Sequence, residues 1–274
     1  GHFETLDYVQ ALAIQLERQA DADRVLNIAE REFDVLLDYK TENDVIGAKV
    51  GRKLTRRPKT LWPDWTGIEA ARDVHANGVL MGVLDTGVDA DHSAFRSRCI
   101  EFRYFPHSGV QDPAGVRNVR GFDTDGHGTH VCGILAAKRT GIAPAVNLHV
   151  ASVIESETLR ASIWRTFFAL DWVYRWFTDR RYRNVPCVIN LSLCFFEDRM
   201  EQDEVDAWKL MLHRPLQDLE RKGALIVAAA GNRGAGHIGF PAKFDFVLSV
   251  GAVDKEQRVA DFSGLPTRDA PRDI

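Results

Sequence analysis

The sequence predicts an α/β fold of three layers, in which a mostly parallel sheet carries helices on both faces and an N-terminal helical extension precedes it. Three observations favour this class. Several short segments are apolar without interruption, as strands buried on both sides are. Longer segments between them repeat their apolar residues at helical spacing, and this alternation is typical of parallel sheets. Polar side chains follow directly after several of the apolar segments.

Length and composition indicate one large domain with a smaller appendage. The chain has 274 residues, of which 45% are hydrophobic and 27% are charged, a size that suits a single α/β domain. We predict an N-terminal extension, a pro-region or regulatory region, over residues 1–60 and a main domain over residues 61–274. The net charge of -4 and the scattered basic residues argue against a nucleic acid or an anionic membrane as a partner.

Hydropathy and cysteine usage indicate a compartment. No apolar run is long enough to cross a bilayer. The four cysteines form no Cys-x-x-Cys pair, and three of them lie in apolar segments that resemble strands or helices. We therefore expect free thiols in a reducing environment, which favours the cytoplasm.

The N-terminal region is predicted to be helical over Phe3 to about Leu37. Leu6, Val9 and Ala13 fall on one face of such a helix. An amphipathic segment of this kind either packs on its own domain or serves as a regulatory arm that binds a partner, and the sequence leaves both interpretations open. The polar, basic stretch after it is either a linker or contains one or two strands.

The main domain is predicted to alternate strands and helices. A more apolar composition begins at Trp62, and a short helix is expected at Ile68–Val74. Continuous apolar runs predict buried strands at Val79–Leu84, Val146–Ile154, Val185–Leu193, Ala224–Ala230 and Val247–Val253. Helical spacing predicts longer helices from His127 to about Lys138, at Ser162–Phe177 and around Val205–Arg221.

Three polar side chains follow predicted elements at the edge where parallel sheets form their sites. Asp85 follows the first strand of the main domain, Asn232 follows a later one, and His127 begins a helix after a glycine-flanked polar turn. A carboxylate can orient an imidazole and stabilise its cation, and the imidazole can take a proton from a nucleophile. A carboxamide can donate a hydrogen bond to a developing oxyanion. The three residues together predict a catalytic site with this division of labour.

Other interpretations of the same residues stay open on this pattern alone. Asp85-Thr86-Gly87 and Asn232-Arg233-Gly234 are each compatible with a plain turn, the first with a positive φ at Gly87. His127 and His130 lie three apart on a predicted helix and could bind a metal, although no glutamate completes a metalloprotease motif. A nucleotide-binding fold is disfavoured because no glycine-rich phosphate loop follows a predicted strand.

Several short motifs make the chain similar to one family over roughly residues 62–274. They are Val83-Leu84-Asp85-Thr86-Gly87-Val88, His127-Gly128-Thr129-His130-Val131 with Gly133, Gly141-Ile142-Ala143-Pro144, Val188-Ile189-Asn190-Leu191-Ser192-Leu193, Ala228-Ala229-Ala230-Gly231-Asn232, Phe240-Pro241-Ala242-Lys243 and Ser249-Val250-Gly251-Ala252-Val253. In this order and spacing they resemble the subtilisin-like serine proteases. The resemblance implies a subtilisin-like fold and a serine endopeptidase that hydrolyses peptide bonds in a protein or peptide substrate.

The resemblance also implies roles for single residues. Asp85 would be the orienting acid, His127 the general base and Asn232 the oxyanion donor. It implies no metal at these residues and no cofactor for the reaction. Members of the family often bind calcium through surface loops, and no calcium ligands are assigned in this sequence.

A substrate pocket is implied by the same resemblance. Ser192-Leu193-Cys194 matches the edge segment that pairs with an extended substrate, and Ala229-Ala230-Gly231 matches the opposite wall of the pocket. Gly239 matches a position at the base, where the missing side chain is expected to leave the pocket deep. Cys194 stands where the family usually has glycine, so it brings a side chain to a place of close backbone approach. The peptide bond before Pro241 is expected to be cis.

One motif of the family is missing. Its nucleophile is a serine in a Gly-Thr-Ser-Met-Ala-like segment that follows the acid and the base, and no such segment occurs here. Ser263 matches a segment that does not carry the nucleophile. We therefore expect the serine to lie beyond the end of this chain, which would be inactive alone. The alternative is a catalytically inactive pseudoprotease, or an interaction module that a partner chain completes.

Overall fold

The described part of the chain contains eight strands and three α-helices. The strands are β1 (His2–Leu6), β2 (Ala11–Gln15), β3 (Leu80–Asp85), β4 (Ile100–Tyr104), β5 (Asn147–Ser152), β6 (Cys187–Leu191), β7 (Ala224–Ala229) and β8 (Leu248–Val250). The helices are α1 (His127–Ala136), α2 (Ile163–Thr178) and α3 (Gln202–Arg221), with a 3₁₀ turn at Arg180–Tyr182. The computed structural model describes residues 2–6, 11–15, 66–68, 76–96, 98–106, 120–155, 163–197 and 202–266.

A six-stranded parallel sheet positions everything else. Its order is β4–β5–β3–β6–β7–β8, and every neighbouring pair is parallel. The chain therefore leaves all six strands at the same edge, which we call the C-terminal edge. Segments that are distant in sequence but follow β3, β6 and β7 meet there, because these strands are neighbours.

The predicted parallel sheet with helices on both faces is present. The strands β3, β5, β6, β7 and β8 and the helices α1, α2 and α3 coincide with predicted elements to within a few residues. Strand β4 is not among the predicted strands. Its sequence alternates apolar and charged residues, and all five residues are only partly buried, because β4 lies at the edge of the sheet.

The N-terminal segments differ from the prediction. Strands β1 and β2 pair antiparallel, with Phe3 opposite Ile14 and Leu6 opposite Ala11, so the predicted helix is wrong for both segments. Short apolar windows fit the helical and the strand period about equally well, and pairing between the segments decides the outcome. The rest of the predicted N-terminal helix, the stretch up to residue 60 and most of the predicted short helix near residue 70 lie outside the described residues.

The larger hydrophobic core lies between the sheet and the helices α2 and α3. Leu84, Ile189 and Ile226, from the three central strands, are fully buried in it. A Cβ atom at Gly82 would stand 2.9 Å from the ring of Trp176. Glycine at this position of β3 therefore lets the indole of α2 lie directly on the sheet.

A second core lies on the opposite face, under α1. Cys132 of α1 and Val83 of β3 are completely buried in this cluster. The ladder register places Leu225, Leu248 and Val250 on the same face farther along the sheet, and their exposed fractions are 49%, 51% and 49%. Within the described residues, α1 thus covers this face over β3 and β5 but not over β7 and β8.

The cysteines behave as the sequence predicts. All four lie within the described residues and none of them forms a disulfide there, with Cys99 exposed and Cys132, Cys187 and Cys194 buried. Burial raises the pKa of the Cys187 thiol to about 12 and also raises that of Cys132, so both serve packing rather than reactivity. Among the described helices, none combines the length and the hydropathy needed to cross a bilayer.

Candidate active site

A buried carboxylate–imidazole pair lies at the C-terminal edge of the sheet. Asp85 is the last residue of β3 and His127 is the first residue of α1, and His127 Nδ1 lies 2.6 Å from Asp85 Oδ1. Asp85 is fully buried and His127 is 6% exposed. The backbone N–H of Thr86 also donates to Asp85 Oδ1, at 2.7 Å, which orients the carboxylate. The hydrogen bond between His127 Nδ1 and Asp85 favours the imidazole tautomer that carries its proton on Nδ1 and keeps Nε2 as a base.

Opposing effects set the pKa values of the pair. Burial lowers the pKa of His127, but the hydrogen bond and the negative charge of Asp85 raise it, and the net shift is upward. Burial raises the pKa of Asp85, and the hydrogen bond and charge of His127 offset this only in part. An imidazole whose pKa is raised in this way is stabilised as a cation by Asp85, which a general base requires once it has taken a proton.

The two motifs that carry the pair approach each other at glycines. Gly87 has a φ of 126°, the positive value that the plain-turn interpretation also gives it, and a Cβ atom on it would lie 2.2 Å from the carbonyl oxygen of Phe122. A Cβ atom on Gly128 would lie 2.1 Å from the carbonyl oxygen of Gly87. A side chain at either position would force the backbone apart, so this close approach requires glycine after both Asp85-Thr86 and His127.

Asp123 anchors the start of α1, although it is not among the predicted site residues. Its Oδ2 accepts hydrogen bonds from the backbone N–H of Thr129, at 2.7 Å, and from the Thr129 hydroxyl. Its Oδ1 accepts the backbone N–H of Gly126 at 2.9 Å. Burial acts to raise the pKa of Asp123, but these hydrogen bonds together lower it. The N-cap residue Gly126 has no side chain that could cap α1, and Asp123, three residues before it, accepts a backbone N–H of the first turn instead.

The Thr86 hydroxyl connects Asp123 to the end of β3. It donates to Asp123 Oδ1 at 2.8 Å and accepts the backbone N–H of Gly128, also at 2.8 Å. Thr86 directly follows Asp85, and Gly128 directly follows His127. The network therefore holds the end of β3 and the first turn of α1 in one arrangement.

Asn232 follows β7 at the same edge of the sheet. Gly231, the residue before it, has a φ of 102°, so the chain turns sharply as it leaves the strand. Strand β7 lies two positions from β3, which is about 10 Å across a sheet. The Asn232 Oδ1 atom is buried and has no hydrogen-bond partner among the described residues. A buried oxygen without a hydrogen bond typically lowers the stability of the folded state by about 1–3 kcal/mol. The described residues therefore leave part of the hydrogen-bonding capacity of this carboxamide unsatisfied.

The predicted pocket segments lie side by side, and Cys194 lies next to Gly239. Ser192-Leu193-Cys194 continues β6, Ala229-Ala230-Gly231 continues β7, and the backbone N–H of Gly239 donates to the carbonyl oxygen of Ala230 at 3.0 Å. A Cβ atom on Gly239 would lie 2.6 Å from Cβ of Cys194. The side chain of Cys194 therefore occupies the space that the missing side chain of Gly239 is expected to leave free.

The segments after Cys194 and Gly239 are tied together. Phe195 and Phe240 exchange two backbone hydrogen bonds, of 2.7 and 2.8 Å. The Phe240–Pro241 peptide bond is cis, as predicted. Cys194 and Gly239, which directly precede this bonded pair, are therefore held next to each other.

The geometry gives no support to the metal interpretation. The residues that the structure describes contain no group of three or more His, Cys, Asp or Glu side chains that could hold a metal ion. His127 is bonded to Asp85, whereas His130 is exposed on α1. The two histidines of this helix therefore have different surroundings.

Known proteins resemble this chain in sequence. The model of the subtilase family matches residues 76–269. The chain belongs to the subtilase family. The subtilisin-like protease PopC of Myxococcus xanthus is 45% identical over 216 residues, which cover 75% of this subtilase and 44% of PopC. An intracellular serine protease of Paenibacillus polymyxa is 30% identical over 196 residues, which cover 68% of this chain and 53% of that protein. The chain thus spans about half the length of these relatives.

Solved structures share the fold of this subtilase. The prenylagaramide maturation protease PagA matches it with a TM-score of 0.55 and 25% identity, over 73% of this chain and 64% of that one. A cold-adapted subtilisin-like serine proteinase matches with a TM-score of 0.53 and 24% identity, over 69% of this chain and 60% of that one. The predicted subtilisin-like fold class is confirmed.

Proposed function

We propose that this subtilase is a serine endopeptidase in which Asp85 and His127 form a catalytic triad with a serine. The observation that carries the proposal is the buried 2.6 Å contact between His127 Nδ1 and Asp85 Oδ1 at the end of a parallel strand. Because Nδ1 is bonded to Asp85, Nε2 is the nitrogen that takes the proton from the nucleophile. The upward shift of the His127 pKa supports this role.

The proposed reaction is acyl transfer followed by hydrolysis. As the serine oxygen attacks the carbonyl carbon of the scissile bond, His127 Nε2 takes the hydroxyl proton and Asp85 stabilises the imidazolium. The carboxamide of Asn232 donates a hydrogen bond to the oxyanion. His127 then gives its proton to the leaving amine. Water, deprotonated by the same imidazole, releases the acyl group from the serine.

In this proposal the nucleophile lies in sequence that follows Ile274, and residues 1–274 alone are inactive. The length of the relatives supports this, since the chain covers 44% of PopC and 53% of the Paenibacillus protease. The half-exposed Leu225, Leu248 and Val250 support it as well. A helix that carries the serine would bury these side chains, which removes apolar surface from water.

The proposed substrate is an extended stretch of a protein or peptide. It would add as a strand beside Ser192-Leu193-Cys194 and place the side chain before the scissile bond between that segment and Ala229-Ala230-Gly231. Residues 1–60 are proposed to regulate access, either on their own domain or through a partner. The lack of disulfides among the described cysteines and the name of the intracellular relative support the cytoplasm as the location.

Covalent labelling tests the triad. Fluorophosphonates react with activated serines, so the full-length protein is expected to be labelled and to hydrolyse peptides, whereas residues 1–274 alone are not labelled. His127→Ala in the full-length protein is expected to abolish labelling and hydrolysis. His130→Ala is the matched control, because His130 is exposed on the same helix, and it should keep full activity. Full activity in His127→Ala would remove the triad assignment.

Turnover tests the oxyanion donor separately. Asn232→Ala in the full-length protein is expected to lower kcat about a hundredfold or more with little change in KM, because the bond to the oxyanion exists only in the transition state. Asn147→Ala, at an exposed position where β5 begins, is the control and should keep the wild-type kcat. An unchanged kcat in Asn232→Ala rules out the oxyanion role.

A second candidate function is an interaction module that a partner chain completes. The half-exposed Leu225, Leu248 and Val250 favour it, since an apolar face of this kind also suits a helix from another protein. This function predicts that the full-length protein is not labelled by fluorophosphonate and that no Gly-Thr-Ser segment is encoded after Ile274. Reading the gene past that residue distinguishes the two functions before any assay.

A further inference from the structure

The space between the two walls of the proposed pocket is filled by a side chain. Gly231 and Gly239 face this space from two sides, and Cys194 lies between them. Its Sγ atom is 3.2 Å from where a Cβ atom on Gly231 would stand and 3.3 Å from where a Cβ atom on Gly239 would stand. Cys194 is only 2% exposed. A single carbon atom added to either glycine would therefore already lie closer to the thiol than ordinary van der Waals contact.

A phenyl ring closes the same space from another direction. Cζ of Phe196 would lie 2.8 Å from a Cβ atom on Gly231, which is closer than van der Waals contact. The guanidinium of Arg233 stacks on this ring, with Cζ 3.9 Å from the ring centroid. The stack is a cation–π contact that favours this position of the ring. Phe196 was not predicted as a site residue, because its contact with Gly231 joins segments that are distant in sequence.

We infer that Cys194 and Phe196 restrict the residue before the scissile bond to small side chains, namely glycine, alanine and serine. The inference rests on the proposed function, in which Asn232 binds the carbonyl oxygen of that residue. Its side chain must then enter beside Gly231, the neighbour of Asn232. There it meets the thiol of Cys194 and the ring of Phe196. A methyl or hydroxymethyl group needs only small shifts of these side chains, whereas a benzyl group needs one of them to leave.

Substrate profiling of the full-length protein tests the inference. The probes are succinyl-Ala-Ala-Pro-Xaa p-nitroanilides with Ala or Phe at Xaa, and kcat/KM is measured for each. The wild type is expected to prefer Ala over Phe by about a hundredfold or more. Cys194→Gly is expected to raise the Phe-to-Ala ratio at least about tenfold, because two heavy atoms, Cβ and Sγ, are removed from the pocket. Cys194→Ser, which keeps the shape of the side chain, should leave the ratio near the wild-type value.

Thermal unfolding reports whether Cys194→Gly folds. If it does not, a second variant provides the same test. Phe196→Ala removes the ring from a partly exposed position and should also raise the ratio. The inference is overturned if the wild type cleaves both peptides equally well, or if the folded variants leave the ratio unchanged. A wild-type protein that neither reacts with fluorophosphonate nor cleaves any peptide overturns the proposed function first, and this inference with it.

Discussion

The two faces of the parallel sheet differ in how completely they are covered. On the face under α2 and α3, Leu84, Ile189 and Ile226 are all fully buried. On the face under α1, the described residues bury the side chains of β3 and β5, but Leu225 and Leu248 stay 49% and 51% exposed. Within the described residues, the first face is thus packed over β3, β6 and β7, whereas the second is packed over β3 and β5 but not over β7 and β8. Exposed apolar side chains that lie together in this way are typical of a surface that another segment covers.

The candidate site lies where the covered half of the α1 face ends. Asp85 and His127 belong to the covered half, where the hydrogen bonds of Asp123 and Thr86 hold them together. Asn232 follows β7, on the side where the face is open, and its Oδ1 atom has no partner among the described residues. The acid and base are therefore organised by the described residues alone, while the surroundings of the proposed oxyanion donor are not.

The largest expected effect is on kcat, and it tests the Asp85–His127 pair. Asp85→Asn in the full-length protein keeps the shape of the side chain but cannot stabilise the imidazolium, so kcat should fall about 10⁴-fold. In the wild type, kcat/KM should rise with pH as His127 loses its proton, with an inflection above 6.5, because Asp85 raises the pKa of His127. In Asp85→Asn the inflection should move to lower pH. Both quantities are measured with one peptide substrate at a series of pH values.

Asp91→Asn is the matched control for this substitution. Asp91 is an exposed carboxylate that pairs with Arg120 at 2.8 Å, so its loss should leave kcat and the inflection unchanged. If Asp85→Asn kept the wild-type turnover, the buried pair would be a structural feature of the fold and the proposed chemistry would lie elsewhere.

The next effect compares the two faces directly. Leu212 of α3 is completely buried, and Leu212→Ala should lower the free energy of unfolding of residues 1–274 by about 2–5 kcal/mol. Leu248 is 51% exposed on the open face, and Leu248→Ala should change it by no more than about 0.5 kcal/mol. Urea denaturation followed by tryptophan fluorescence measures both.

The same two substitutions in the full-length protein sharpen the comparison. If a further segment covers Leu248 in the full-length protein, Leu248→Ala should lower the free energy of unfolding by about 1 kcal/mol or more, because a buried leucine side chain is then truncated. Equal losses for Leu212→Ala and Leu248→Ala in residues 1–274 would show that the open face is already packed and would contradict the comparison.

The smallest expected effect is on stability, and it concerns a titratable group on the face of the sheet under α2 and α3. His149 of β5 is 3% exposed, with its ring 4.7 Å from that of Trp176. Burial lowers its pKa to about 4, and the charge of Arg181 acts in the same direction. The folded state thus prefers neutral His149, whereas the unfolded chain takes up its proton near pH 6.5. Stability should therefore be full above pH 6.5 and fall as the pH drops from 6.5 toward 4, by at most about 3 kcal/mol.

Urea denaturation at several pH values checks this dependence. His149→Gln, which stays neutral, should remove most of the loss between pH 6.5 and 4. His237→Gln, at an exposed position, should leave the loss unchanged. If His237→Gln removed as much of the loss as His149→Gln, burial of His149 would not be the cause.

Much of the site could be predicted because local patterns encode it. Continuous apolar segments predicted the buried strands, and the glycine-flanked turn predicted that His127 begins a helix. A parallel sheet brings the ends of its strands to one edge, so Asp85 and His127 were expected to meet although they are 42 positions apart in sequence. The anchoring role of Asp123 has no such local pattern, because Asp123 lies three residues before the N-cap Gly126 and also bonds Thr86, which is 37 positions away in sequence.

Other features depended on contacts between distant segments. The apolar residues of β1 and β2 fit a helix as well as a strand, and pairing between the segments decided for strands. Gly239 predicted a deep pocket, but Cys194 takes up the space beside it. Nothing local to Cys194 or Gly239 shows that they lie next to each other.

The sequence by itself therefore determined five of the six strands of the parallel sheet, the three helices, the family, and the chemical groups at the C-terminal edge. The reason is that apolar periodicity and glycine conformation act within a few residues of the chain. Only the tertiary structure decided how Cys194 and Phe196 share the space beside Gly231 and which half of the α1 face stays open. Those outcomes follow from the packing of segments that are far apart in sequence, where a shift of one atom's width decides what fits.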